Sequence, residues 1–277
     1  MRGHEPPSLF GVPAGRPFGI DPSFMDLLGG TPAAPDPGPA PGHQGIPIPH
    51  GTTVLGLKFA QGVVMAGDRR ATEGFSIADE KIEKVFPADE YSAVAIAGAA
   101  GQATEIVKLF QTELEHYEKV QGDRLSLEGK ANRLAQMIRQ NFPMALQGLV
   151  VVPLFGGYDE RREQGRLFRY DATGGRWEEL EFASTGSGGK PAKTTLKKRW
   201  RPGLSQEEAI RVAVEALRDA AQEDVATGGP DPVRGIFPSV TVIGRGGVEA
   251  VAQDDVRTAY EAVVADERTT GGSGSTE

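Results

Sequence analysis

Hydroxyl, carboxylate and amine groups are what this chain has available for chemistry, because thiols are missing and imidazoles are scarce. No cysteine occurs among its 277 residues, which removes thiolate nucleophiles, disulfides and Cys-ligated zinc or iron–sulfur centres. The four histidines are His4, His43, His50 and His116, and three of them precede Thr52. His116 lies in LFQTELEHYEKV, a helical pattern on which a lone histidine reads as a surface or boundary residue. A Ser-His-Asp triad would have to be built on it or on the N-terminal segment. The His-Glu-x-x-His zinc pattern is absent, and no metal or organic cofactor is expected. A hydrolase made from this sequence therefore needs a hydroxyl activated by something other than imidazole.

One stretch offers such a group. IPIPHGTTVLGLKFA, residues 46–60, passes from proline-punctuated chain to an alternating strand at Gly51-Thr52-Thr53. Cutting the Gly51–Thr52 bond would give Thr52 a free α-amine, whose pKa of about 7.7–8.0 leaves a useful basic fraction near neutrality. Base and side-chain oxygen would then sit on one residue, so positioning costs little once that residue is fixed. Threonine suits the task because its β-branch restricts χ1. Gly51 suits the other side of the bond, since glycine tolerates unusual backbone angles. Taken alone, the same residues read more readily as a loop glycine followed by two strand formers.

The neighbours sharpen the choice. A hairpin at Gln61-Gly62 brings AGDRRAT, residues 66–72, alongside Thr52. Asp68 then ends an otherwise apolar strand, although its face is open, because one step of register reverses every side chain. Lys84 lies between apolar residues in IEKVF and either snorkels to solvent or is held by a carboxylate such as Asp68. A fixed ammonium beside Thr52 would favour its alkoxide. IAGAAGQ, residues 96–102, ends a strand at small residues before a helix, which can aim the Gly98 N–H at a developing oxyanion.

These groups need elements to hold them. Residues 1–50 carry 12 of the 20 prolines and read as an extended leader, with 24–28 of PSFMDLLGG as a short amphipathic exception. Strands are expected at 52–60, 63–68, 82–86 and 91–98, with PADE as a break. Helices follow at 103–120 and 126–142, then strands at 149–158, 165–170 and 177–184. Helices at 192–199 and 206–221 come next, the second opened by SQEE. Strands at 235–244 and 248–253 and a helix at 254–266 close the folded part, and 267–277 reads as a flexible tail. Strands and helices fall in blocks, which argues against a doubly wound parallel sheet. The packing expected is α+β, a four-layer αββα sandwich over residues 52–266.

Composition excludes several roles. Hydrophobic residues make up 39% and charged residues 25% of the chain, and its net charge is -8. That is a globular composition without the basic surface a nucleic acid requires. No apolar run reaches membrane-span length, and the first twenty residues lack the apolar stretch of a secretory signal, so cytoplasmic residence is the expectation. GSGGKPAKTT is not a phosphate loop: Pro191 occupies the Ser/Thr position and Ser184 the first glycine.

Taken together, GTTVLGLKFAQGVVMAGDRRAT, EKVF, IAGAAGQA, STGSGG and EDVATGGPD, in this order and spacing, resemble the β subunit of the actinobacterial proteasome core particle. The resemblance runs from His50 to about Asp266. It implies an N-terminal nucleophile hydrolase fold and a threonine endopeptidase, with residues 1–51 removed autocatalytically to expose Thr52 as nucleophile. By the same resemblance Asp68 and Lys84 complete the catalytic centre, while Ser187, Asp224 and Thr227 hold and polarise the amine. Thr227 stands where many relatives have serine, and both offer a hydroxyl. Gly98 matches the oxyanion donor, and the backbones of Thr72 and Gly98 match positions that bind substrate as an added strand. Ala71, Ile82, Phe86, Ile96, Ala100 and Ala103 fall near the first specificity pocket, whose apolar character implies cleavage after hydrophobic residues. Implied partners are seven-membered β rings stacked between α-subunit rings, a separate ATPase ring and unfolded protein substrates. A shorter bacterial threonine protease that assembles without α subunits shares the starting threonines, but DRRAT and the long C-terminal half point away from it. A purely structural β subunit would lack Thr52, Asp68 or Lys84, and all three are present.

Overall fold

The first hairpin sets the layering of the molecule. The structure, a computed structural model, describes residues 51–73 and 76–271; the expected leader and its 24–28 segment lie outside the described residues, as does the chain from 272 onward. β1 (Thr53–Phe59) and β2 (Gly62–Gly67) pair antiparallel with Phe59 opposite Gly62, so the turn is Ala60-Gln61, one place earlier than expected. Successive side chains of a strand point to opposite faces. Leu55, Leu57, Val64 and Ala66 enter one buried cluster, and Val54, Val63 and Met65 enter another. A hairpin apolar on both faces must therefore be covered on both faces.

Both coverings are present. β1 and β2 belong to a five-stranded antiparallel sheet of order β10-β1-β2-β11-β12, with β10 (Phe182–Gly186), β11 (Ser239–Gly244) and β12 (Gly247–Ala250). The second sheet has the order β5-β6-β7-β8-β9, from β5 (Val85–Asp89), β6 (Ser92–Gly98), β7 (Val151–Asp159), β8 (Gln164–Tyr170) and β9 (Arg176–Glu179). Val54, Met65, Ala93, Ala95, Leu154 and Leu167 fill the space between the sheets. On the outer face of the first sheet lie α4 (Gly189–Arg199), α5 (Gln206–Glu223) and α6 (Gln253–Gly271), through Leu196, Ala213, Leu217 and Val256. On the outer face of the second lie α1 (Ala100–Gln121) and α2 (Leu127–Gln140), through Phe110, Leu114, Leu134 and Ile138. Each such fully buried Leu or Phe contributes about 1.5–3 kcal/mol. The result is the αββα sandwich expected from the block order.

Several elements differ from expectation for identifiable reasons. The strand expected at 82–86 is β5, which begins at Val85 and runs through Pro87 with an irregularity in its pairing. It is the edge strand of its sheet, where proline's missing N–H is tolerated. The single strand expected at 177–184 is two: β9 and β10 lie in different sheets, and the chain crosses between them at Leu180 and Glu181. A short hairpin of β3 (Ala71–Glu73) and β4 (Ser76–Asp79) and a one-turn α3 (Phe142–Ala145) carry too few residues for a period to show. α4 starts before Pro191, which sits in the first turn where a missing N–H costs nothing. Ser205 and Glu208 form a full capping box on α5. α6 continues to Gly271, beyond Asp266 where the tail was expected to begin.

Candidate active site

Register brings the site together. Val54 pairs with Gly67, so Asp68 emerges just past the end of the hairpin and faces Thr53. The two residues are tied twice: Asp68 N donates to Thr53 O at 3.0 Å, and Thr53 N donates to Asp68 Oδ1 at 2.7 Å. On the other side of β1, Thr53 pairs with Gly186, which sets Ser187 beside Thr52, with Ser187 N donating to Thr52 O at 3.0 Å.

Asp68 is wholly buried and its carboxylate is saturated. Oδ1 also accepts from Lys84 Nζ at 2.7 Å, and Oδ2 accepts from Arg70 N at 3.0 Å and Gly228 N at 2.9 Å. Lys84, 5% exposed, spreads its ammonium over Asp68 Oδ1, the Arg70 carbonyl at 2.5 Å and the Gly51 carbonyl at 3.4 Å. Lys84 therefore does not snorkel; it is held by Asp68, and three acceptors meet its three protons. Burial pushes the Lys84 pKa down, and the Asp68 carboxylate offsets that only in part, so the group lies below the ordinary lysine range.

Thr52 sits at the mouth of this arrangement, 6% exposed. Its hydroxyl donates to the Gly51 carbonyl at 2.7 Å, the same oxygen that Lys84 approaches. A hydroxyl and an ammonium thus share the carbonyl of the peptide bond preceding Thr52.

A second group lies on the Ser187 side. α5 ends at Glu223, and Asp224 N still donates to Ala220 O, which fixes the turn that follows. Asp224 Oδ2 accepts from Ser187 Oγ and from Thr227 Oγ1, each at 2.5 Å, while Oδ1 accepts from Ala226 N at 3.2 Å. Ser187, Asp224 and Thr227 are therefore one hydrogen-bonded unit, although they come from two segments of the chain.

Beside Thr52 opens a recess of about 50 Å³. It is lined by Gly51, Thr52, Lys84, Ala71, Ile82, Phe86, Ile96, Gly98, Ala100 and Ala103, and also by Glu83 and Thr104. Gly98 has φ +127°, and a Cβ there would stand 2.0 Å from the Val150 carbonyl oxygen, so only glycine fits. Thr72 is not part of the lining; its Oγ1 faces Gly51 from the β3–β4 hairpin. Glu83 and Thr104 on the recess were not anticipated, nor were the backbone groups of Arg70, Gly188 and Gly228. Thr53 is the largest omission: it is fully buried, and its hydroxyl accepts from Gly188 N at 2.9 Å and meets Thr227 Oγ1 at 2.6 Å. Its position next to Thr52 was the only signal available. Among the described residues no helix is long and apolar enough to cross a membrane.

Comparison with known proteins leads to one family. The family model described as "Proteasome subunit" matches residues 48–233. The chain is 57% identical to "Proteasome subunit beta" of Acidimicrobium ferrooxidans, over 89% of each chain. It is 58% identical to the protein of that description from Streptomyces griseus subsp. griseus, over 80% of each. With the one from Jonesia denitrificans it shares 51% identity, over 87% of this chain and 81% of the relative.

Proposed function

This chain belongs to the proteasome subunit family, and we propose that it is the catalytic β subunit of a core particle, made with a leader that it removes itself. It is a threonine-type endopeptidase. The observation that carries the self-processing reading is the meeting of the Thr52 hydroxyl and the Lys84 ammonium on the Gly51 carbonyl oxygen.

In the first reaction Thr52 Oγ adds to the Gly51 carbonyl carbon. The Gly51–Thr52 C–N bond then breaks with a proton passing to nitrogen, leaving an ester. Water hydrolyses that ester to a Gly51 carboxylate and a Thr52 hydroxyl with a free α-amine. In later turnovers the amine takes the Thr52 hydroxyl proton as Oγ adds to a substrate carbonyl. The departing amine receives that proton, and water then releases the acyl group. Lys84, kept charged by Asp68, lowers the cost of alkoxide at Thr52. Ser187, Asp224 and Thr227 hold the amine, and the Gly98 N–H receives the oxyanion.

The apolar walls of the recess support cleavage after hydrophobic residues. Substrate would lie along the backbones of Thr72 and Gly98 as an added strand. Unfolded proteins are the natural substrates of a site that binds extended chain. Assembly into seven-membered rings between α-subunit rings, cytoplasmic residence and service by a separate ATPase ring complete the proposal.

The test is intact-mass and N-terminal analysis of the wild type and of Thr52→Ala after assembly with the α subunit. The wild-type chain is expected to begin at Thr52; the variant is expected to keep residues 1–51 and cleave no peptide. A wild-type chain that keeps its leader yet cleaves peptides would sink the mechanism.

A further inference from the structure

The hydrogen bonds around Thr53 have only one consistent direction. Asp224, as a carboxylate, can only accept. Its Oδ2 takes the hydroxyl protons of Ser187 and Thr227. Thr227 has a single hydroxyl proton, now committed to Asp224, so in its 2.6 Å contact with Thr53 it must be the acceptor. Thr53 therefore donates to Thr227, and it in turn accepts from Gly188 N–H. The chain runs from Gly188 N–H through Thr53 and Thr227 to Asp224, all within 2.9 Å per link.

Thr53 also connects this chain to the other half of the site. Its backbone N–H donates to Asp68 Oδ1, the oxygen that holds Lys84. With no solvent exposure, no water can replace its hydroxyl without rebuilding the site. We propose that Thr53 is a positioning residue of the peptidase: its hydroxyl fixes the Thr227 hydroxyl toward Asp224 and so sets the lone pair that Thr227 presents to the Thr52 amine. This inference rests on the proposed assignment of Thr52 as nucleophile and base and of Ser187, Asp224 and Thr227 as the group that holds its amine.

The consequence reaches the amine's proton affinity. With one of its two lone pairs taken by the Thr53 proton, the Thr227 oxygen has less capacity left for an ammonium N–H. Thr53 thus disfavours the protonated amine and keeps more of the base free. The charged groups around this point are Asp224 beyond α5, Asp68 beyond β2, Lys84 before β5 and Arg70, and substitution at Thr53 alters none of them.

The test compares Thr53→Val, which keeps the shape and removes the hydroxyl, with Thr53→Ser, which keeps the hydroxyl, each assembled with the α subunit. Intact mass is read first, to show that each chain begins at Thr52. Thr53→Val is expected to lower kcat about tenfold with KM unchanged and to move the acid limb of the kcat/KM profile up by about half a pH unit. Thr53→Ser is expected to restore both. A Thr53→Val particle with the wild-type kcat and acid limb would overturn the inference, as would a loss confined to thermal stability. Should Thr53→Val fail to assemble, Thr53→Ala is measured in its place against the same two readouts. A wild-type chain that keeps its leader would count against Thr52 itself, whereas failure at Thr53 alone leaves the Thr52 assignment standing.

Discussion

Gly51→Ala should slow removal of the leader and leave the mature enzyme untouched. A Cβ on Gly51 would lie 2.5 Å from Thr72 Oγ1 and 2.6 Å from both the Cβ and the carbonyl oxygen of Ala226. Ordinary contact begins near 3.4 Å, so something must move by about 0.8 Å. Ala226 cannot yield freely, because its N–H is bonded to Asp224. Gly51 is therefore the part that shifts, and with it the carbonyl that Thr52 and Lys84 share. Misplacement of a reacting group by about 1 Å costs on the order of 10²-fold in rate, so processing should slow by roughly 30- to 100-fold, equivalent to about 2–3 kcal/mol of barrier. The assay follows the intact mass of the chain over time after assembly with the α subunit. Peptide hydrolysis per processed chain should equal wild type, because Gly51 is absent from the product. Processing at the wild-type rate would refute the argument, and so would a peptidase defect that persists after the leader is gone.

Further outcomes follow from other parts of the structure. Peptide hydrolysis should fall on the alkaline side below the range of an ordinary lysine, about 10.4, because burial pushes the Lys84 pKa down and the ammonium is lost as pH rises through that lowered value. A kcat/KM profile flat to about pH 10, close to that ordinary value, would contradict this. Ala103→Leu, which fills part of the recess beside Thr52, should lower cleavage after large hydrophobic residues at least tenfold relative to cleavage after alanine, as read with a pair of fluorogenic peptides. Arg166 is buried among Asp159, Glu128 and Glu178; Glu128 also holds Arg176, but Arg166→Met would take from Asp159 and Glu178 their nearest cation, at a cost of about 3 kcal/mol. Thermal melting should show a loss of about 10 °C, and a change below about 2 °C would count against the network's role.

What could be read from the sequence was what period and composition record. Alternation in 53–59 and helical spacing in 100–121 and 206–223 yielded the elements and their block order, and the block order yielded the layers. Contacts that depend on register could not be read. The face of Asp68 was undecidable until the pairing of Val54 with Gly67 fixed it. Lys84 read as a strand residue because apolar neighbours flank it, yet it precedes the strand and turns inward to Asp68. Leu180 and Glu181 carry no break signal, so the crossing between the two sheets was invisible. Thr53 escaped notice because a β-branched residue in a strand needs no further explanation. The resemblance to a known family supplied Ser187, Asp224 and Thr227, which lie far apart along the chain and which spacing alone would not have joined.

The placement of β1 also changes what a chain end means in this protein. Terminal residues ordinarily fray, exchange their amide hydrogens quickly and invite exopeptidases. Thr53, which would be the second residue of a chain cut before Thr52, is paired with Gly186 on one side and tied to Asp68 on the other, in a strand covered on both faces. Cutting before Thr52 would therefore create a terminus already clamped beside a strand that is paired on both edges and buried on both faces. The new amine would be born in an ordered lattice of partners, and an aminopeptidase would have to unfold the central sheet to reach it.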